Sequence, residues 1–544
     1  MRKRILLLIG ISLFILSYTI NYNFDFTQDK RFSLDKESVS MIKNIKDNIT
    51  IDVFLSGKIP PKFRKLNMEI KQKLNLYYNL NNNLHSNFIN PFEGDDSMDK
   101  ILSEMSSYGM KPFYNIDVKN QNIEQNIIFP WIIMNNGKSS VLIPIMDSQY
   151  NKSDESSIIS SINKLDSKLI DGLKRLENNS KSKIAIISSH ETSSSLKISD
   201  FVSSLQLYYE VFIFDIKKYK SNPFETFQYL KTFPLIIISN PKKRFENEEK
   251  FILDQYQMNG GSILWMLNST TFDEDKFKLN GKSEVISNQL NLDDYFFNQG
   301  IKIKTQLVLD NYCGPIIIAN GDGNKTQYIP VPWVYSPMVK PNKSIINNNL
   351  EYLLLKYSNP IDTVKNNLKK LTLINSSNFN KIQNIPSQID IQSAIKGNNK
   401  VKFSSDVKLM SVLIEGEFNS LYRNKIKPIV NIFKLNKGKS KSIIITDGQF
   451  GENQIENGNP LELGYDKWTN NFYSNKEFLI NSVHYLTGNK NLIKEIPRNN
   501  KFILFDKLKI NKRDKRLVIL ILFFPVLILF IVYSFVNKYR KNHR

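Results

Sequence analysis

The chain has 544 residues, too many for one core and enough for about two or three domains. Hydrophobic residues make up 41% and charged residues 23%, a globular composition that excludes a disordered chain. The net charge is +22, but the basic residues are mostly lysines scattered among Asn and Ile, with no Arg-rich tract between the termini, so no nucleic-acid surface is read from it. Cys313 is the only cysteine, which excludes an intramolecular disulfide, a cysteine-based zinc site and a CxxC redox motif.

In chain order, Arg2, Lys3 and Arg4 precede the apolar run Ile5 to Leu16, and Tyr18, Tyr22, Phe24 and Phe26 follow it. The basic start and apolar stretch have the pattern of a secretory signal, but no small-residue cleavage site follows. We expect an uncleaved signal anchor over residues 1–22, with cleavage as the alternative. A first α/β unit is expected over 23–150. Ile49 to Leu55 reads as a strand, and Pro60 and Pro61 open a helix with Phe63, Leu66, Ile70, Leu74 and Tyr77 on one face. Phe88 to Pro91 reads as a second strand and Ser97 to Ser107 as a helix. Asn135, Asn136 and Gly137 turn a hairpin between Ile127–Met134 and Ser140–Ile145. The order β-α-β-α-β-β suits a thioredoxin-like scaffold without its redox motif.

Residues 151–180 are expected to be a helical linker. A second α/β unit, 181–490, opens with the strand Lys183–Ser188, a helix over Leu196–Tyr208 and the strand Glu210–Asp215. Pro234–Ser239, a helix carrying Phe251, Leu253, Tyr256 and Met258, the turn Asn259–Gly261 and the strand Ser262–Leu267 continue it. Continuous apolar strands alternating with helices predict a parallel sheet covered on both faces. The pattern loosens over about 270–435, read as an insertion, and tightens again at Met410–Gly416 and Ser442–Gly448 before a helix at Lys476–Leu486. The expected fold is a doubly wound, flavodoxin-like or glutamine-amidotransferase-like sheet interrupted by that insertion.

After a juxtamembrane stretch, 491–516, Leu517–Val536 gives 20 residues without a charge, a span of about 30 Å as a helix, ahead of a basic tail at 537–544. If both apolar segments span, the bulk of the chain lies outside the cytoplasm.

Motifs for chemistry are few. No phosphate-binding G-x-x-x-x-G-K-[ST] is present, so any ATP hydrolysis would belong to another chain, and no H-E-x-x-H occurs. The four histidines are far apart, and no metal or cofactor is expected. The best ligand-site candidates are His190, Glu191, Asn240 and Asp447, each just past the carboxyl end of an expected strand, where open α/β sheets bind ligands. No nucleophile accompanies them, and the simpler account is that polar residues, Gly and Pro turn the chain there.

Several stretches resemble the GldG family, auxiliary subunits of the gliding-motility ABC transporter of Bacteroidetes. They are Asp25–Leu34, Asp52–Gly57, Phe88–Pro91, Ile238–Lys242, Asp254–Gly261 and, longest, Asn459–Tyr473 leading into Asn475–Phe478. The resemblance covers nearly the full length. It implies a non-catalytic, extracytoplasmic auxiliary or substrate-binding subunit in the inner membrane, accompanying a polytopic permease and a separate ATPase. The alternatives are a hydrolase- or amidotransferase-type enzyme using His190, Glu191 and Asp447, and a purely structural envelope protein.

Overall fold

A computed structural model describes residues 34, 36–94, 97–119, 122–146, 154–177, 181–321, 326–348, 350–392 and 406–493. The two expected membrane segments, 1–22 and 517–536, with the juxtamembrane stretch beyond 493 and the basic tail, lie outside these residues. Among the described residues no helix is long and apolar enough to cross a membrane.

The amino-terminal unit is a four-stranded sheet in the order β2-β1-β3-β4. Its strands are β1 (Ile49–Val53), β2 (Leu84–Phe88), β3 (Trp131–Asn135) and β4 (Ser140–Pro144). β1 and β2 are parallel; β3 runs antiparallel to both its neighbours, β1 and β4. A short helix, α1 (Lys36–Asn44), precedes β1, and a 3-10 turn at Pro61–Phe63 leads into α2 (Arg64–Leu80). Phe63, Leu66, Ile70, Leu74 and Tyr77 are all buried, as the three-to-four spacing requires. α3 (Met98–Ser107) covers the other face through Ile101 and Met105, packed with Phe54 and Phe129.

Three expectations shift here. The second strand is Leu84–Phe88, upstream of Asn90 and Pro91, because its residues are mostly exposed and give no apolar run to read. Residues 127 and 128 belong to a separate hairpin, Phe113–Lys119 with Asn122–Ile128. The helix read as a linker, α4 (Asp154–Glu177), is part of this core: Leu165, Leu169 and Leu173 join Ile70 and Tyr77 in one cluster. Gly172 allows the close approach, since a Cβ there would lie 2.2 Å from Ile143. α4 also reaches the next sheet, where Tyr208 donates to Asp171 at 2.8 Å.

The second sheet has nine strands. Five are parallel neighbours: β5 (Ser182–Ile187), β6 (Tyr209–Phe214), β7 (Leu235–Ser239), β8 (Ser262–Met266) and β13 (Lys437–Ile445), in the order β13-β8-β7-β5-β6. β7 and β8 are buried at every position, which is why they read as continuous apolar runs. The remaining strands correct the all-parallel expectation. They are β9 (Ile301–Ile303), β10 (Ile361–Thr363), β11 (Lys369–Asn375) and β12 (Leu409–Asn419). β12 pairs antiparallel with β13, and β10 and β11 pair antiparallel with β12. The first three lie in the stretch read as an insertion, so part of that stretch completes the main sheet, while β12 contains the tightened stretch Met410–Gly416. The link from β12 to β13 carries no crossover helix, so the two strands meet antiparallel.

Both faces are covered. α6 (Pro223–Leu230) and α7 (Asn247–Met258) enclose Ile236, Ile238 and Trp265 on one side. α5 (Ser199–Gln206) and α8 (Asn475–Leu486) enclose Ile184, Ile237 and Ile443 on the other. The rest of the insertion builds a smaller layer of antiparallel strands around Trp333, Leu307 and Ile389, set against the carboxyl ends of the parallel strands.

Candidate functional site

The carboxyl ends of β5, β7, β8 and β13 carry Ser188–Thr192, Asn240, Asn268 and Thr446–Gly448. The turn after β5 is sharp: His190 and Glu191 both have positive φ, 66° and 49°, and Asn240 after β7 has φ 54°. The His190 carbonyl accepts from the backbone N–H of Lys242 at 2.8 Å and of Lys243 at 3.1 Å, tying the two turns together.

The side chains diverge. His190 is buried, its ring stacked on Phe245 at 3.8 Å and its Nε2 2.9 Å from Glu249 Oε2. Glu249 Oε2 also accepts from the Glu246 N–H at 2.7 Å, closing a capping box at the start of α7. Burial alone would raise the Glu249 carboxyl, but the His190 hydrogen bond and the Glu246 donor more than offset it and hold it below its ordinary value. Glu191 is exposed, 3.4 Å from Lys243. His190 and Glu191 therefore hold the turn and the surface beside it, apart from Asp447.

Asn240 and Asp447 take different partners. Asn240 Nδ2 donates to Glu452 Oε1 at 3.0 Å, and Ser193 Oγ donates to the same oxygen at 2.7 Å. Lys197 Nζ lies 3.1 Å from Glu452 Oε2. Burial tends to raise the Glu452 carboxyl, and these donors reverse it to a lowered value. Asn268 accepts from the Gly448 N–H at 2.7 Å and donates to the carbonyls of Tyr357 and Thr446 at 2.9 and 3.1 Å. Asp447 accepts from the N–H groups of Lys356 and Gln449 at 2.7 and 2.9 Å, yet burial pushes its carboxyl up to about 7. The Ser193 hydroxyl and the His190 imidazole engage different carboxylates, so they do not form a nucleophile–base pair.

Asp447 and Glu452 line a recess of about 50 Å³ with Gly464, Tyr465 and Tyr473. The recess shares Leu354, Lys356, Gln449, Gln454 and Asp466 with a larger cavity of about 390 Å³. That cavity adds an aromatic wall, Phe272, Phe277, Trp333, Tyr357 and Trp468, with Glu274 and Lys278 at its edge. Gln449 Nε2 donates to Glu274, joining the strand ends to the insertion. The far wall is the segment 459–473. It is fixed by Lys476, whose Nζ lies 2.6 Å from Glu462 and 3.0 Å from Asp200, while the Leu463 N–H donates to Asp200 at 2.9 Å. Burial would lower the Lys476 ammonium, but Glu462 and Asp200 outweigh it and raise it.

Sequence reasoning missed Asn268, Glu452 and the aromatic wall. Of these only Trp468 carried a signal, because it lies in the Asn459–Tyr473 resemblance. Cys313 is half-buried at the start of the strand Cys313–Asn320, its thiol pushed up to about 11 by burial. Among the described residues no group of three or more His, Cys, Asp or Glu is placed to hold a metal ion.

The fold and this site define a mixed α/β protein with an aromatic-walled cavity over the ends of its parallel strands. Over residues 181–482, more than half of the chain, the sequence matches the family described as "ABC-type uncharacterized transport system", and the chain belongs to this family of ABC transporter auxiliary proteins. Residues 28–135 match a domain of unknown function. A solved structure titled "mmIFT52 N-terminal domain" is similar at 12% identity and a TM-score of 0.32, covering 56% of this chain and 97% of that one. No curated protein matches.

Proposed function

We propose that the chain is a non-catalytic, extracytoplasmic subunit of an ABC transporter that binds a ligand in the strand-end cavity. In this reading residues 1–22 and 517–536 anchor it in the inner membrane, and a polytopic permease and a separate ATPase are its partners. The resemblance of Asn459–Tyr473 and the other stretches to the GldG family supports a link to gliding motility. The strand order β2-β1-β3-β4 supports a thioredoxin-like amino-terminal unit, and the five parallel strands support a flavodoxin-like second one.

The observation that carries the binding role is the state of the polar groups under the cavity. Asn240, Asn268, Glu452 and both oxygens of Asp447 are engaged by fixed protein donors and acceptors, while the aromatic wall leaves about 390 Å³ open. Such a site holds a ligand by shape and stacking. The test is purification of the tagged protein from its native membrane in mild detergent, with mass spectrometry of what accompanies it. A permease and a P-loop ATPase in fixed ratio is the expected result; recovery alone or with envelope proteins only would overturn the transporter role.

One observation favours the enzyme reading: an Asp447 carboxyl near 7 is suited to proton transfer at neutral pH. Replacing His190, Glu191 and Asp447 by Ala tests it, since intact complementation of a deletion would exclude catalysis by this trio.

A further inference from the structure

The connection from β12 to β13, residues 420–436, lies at the amino-terminal edge of the parallel strands, opposite the cavity. It is firmly held. Asp254 on α7 accepts from Ser420 Oγ at 2.6 Å and from the Leu421 N–H at 2.8 Å. Gln255 exchanges two hydrogen bonds with the backbone of Leu435, at 2.7 and 3.1 Å. Lys434 Nζ donates to the carbonyls of Tyr422 and Lys425 at 3.0 and 3.1 Å, and Lys427 Nζ to that of Ile432 at 3.1 Å. Tyr422, Ile429 and Ile432 are buried under the loop.

From this fixed base three apolar side chains stand in solvent: Ile426 is 94% exposed, Val430 76% and Phe433 78%. A loop with a satisfied backbone and its own buried anchors has no folding need to present them, so they mark a contact surface. The loop itself carries only positive charge, with Asp254, Glu248 and Asp294 on the facing elements near Tyr422. Between Phe418 and Thr446 there is no Asp or Glu, while Arg423, Lys425, Lys427 and Lys434 share the loop with the apolar tips and lysines 437, 439 and 441 follow. Glu417 faces this set and pairs with Lys437 at 3.2 Å. Apolar tips on a cationic loop complement the headgroup layer of an anionic bilayer.

The described chain ends at this same edge. α8 ends against the starts of β8 and β13, with Leu486 accepting from Ser262 at 3.2 Å and Tyr485 from Lys441 Nζ at 3.2 Å. The described chain stops at Ile493, and the uncharged run Leu517–Val536 follows. We propose that residues 420–436 form a membrane-docking loop that inserts Ile426, Val430 and Phe433 into an anionic phospholipid surface, turning the cavity away from the bilayer. This rests on the reading of 517–536 as a membrane span.

The test uses the full chain with Cys313→Ser and one new cysteine, Val430→Cys or Leu279→Cys, each spin-labelled. Leu279 is 84% exposed on the helix that carries Glu274, at the cavity side. Each protein is reconstituted into vesicles of phosphatidylcholine with phosphatidylglycerol and floated. Collisions with oxygen and with a water-soluble nickel chelate then report depth. A severalfold fall in nickel collisions at 430, with none at 279, is expected. Adding Ile426→Asp and Phe433→Asp to the labelled 430 variant should abolish that fall without changing Tm or flotation. Flotation with position 430 as open to nickel as 279 overturns the docking alone, as does shielding that arises only when the permease is added. Absence from floated vesicles overturns the docking and the membrane span together.

Discussion

His190 and Glu249 meet inside the second sheet's core, Nε2 to Oε2 at 2.9 Å, with both side chains fully excluded from solvent and the ring stacked on Phe245. A pair this deep stabilises only while both partners are present, because either alone leaves an uncompensated polar group. We expect His190→Ala to cost about 3–5 kcal/mol. The pair also has a pH signature. The Glu249 carboxyl is held below its ordinary value in the folded chain, so its contribution is full above the unfolded pKa and is lost as pH falls through the folded one. Urea midpoints measured on the acid side should fall less steeply for Glu249→Gln than for the parent chain.

Asp447 predicts the opposite slope. Its carboxyl rises from 3.8 to about 7 on folding, so between those values the folded chain binds the proton more tightly than the unfolded one. Stability must then decrease as pH rises through that window, by on the order of 4 kcal/mol across it. Asp447→Asn keeps one acceptor and removes the titration. The variant should show a flatter stability profile between about pH 4 and 7, and urea unfolding at several pH values measures it.

The two carboxylates also show what a sequence can reveal. β7 and β8 were legible because they are buried on both faces, and α2 because Phe63, Leu66, Ile70, Leu74 and Tyr77 keep one face. β11, with two lysines at its start, gives no such signal, since it is an edge partner of β12 and is only partly covered. The strand ends were legible as turns, where Asn240 bonds Glu452 and Asp447 accepts from the backbone of Lys356 and Gln449. The roles were not legible, because they depend on pairings across long sequence distance: Ser193 with Glu452 is 259 residues apart and Asn240 with Glu452 is 212. His190 looked like a ligand because its sequence position is right; φ of 66° turns its ring into the core instead.

Gly448 is required by close packing. A Cβ there would lie 2.4 Å from Asn240 Oδ1 and 3.0 Å from Asn268 Oδ1, the two asparagines that organise the strand ends. Gly448→Ala should displace both, at about 1–3 kcal/mol. Calorimetry gives the stability, and ligand affinity at the cavity should weaken with it.

Lys476 staples the segment 459–473 to α5 through Glu462 and Asp200. Lys476→Met would leave two carboxylates side by side without their cation, so the loss should be local to that wall. Hydrogen exchange of amides 459–473 should accelerate strongly while β7 and β8 keep their protection.

Trp333 and Trp468 line the same cavity with different burial, 2% and 41% exposed. Trp333 sits in the insertion's core, so Trp333→Ala should cost about 3–5 kcal/mol and lower abundance through stability. Trp468 packs against Tyr328 near the surface, ring centroids 4.8 Å apart and tilted by 38°, and Lys467 lies over its ring at 4.9 Å. Its truncation should cost no more than about 1 kcal/mol. If the cavity holds the ligand, Trp468→Ala should abolish complementation of a deletion while leaving Tm nearly unchanged. A variant that complements fully at normal abundance would remove the aromatic wall from the binding role, because stacking is the one contribution Trp468 makes there that the fold does not need.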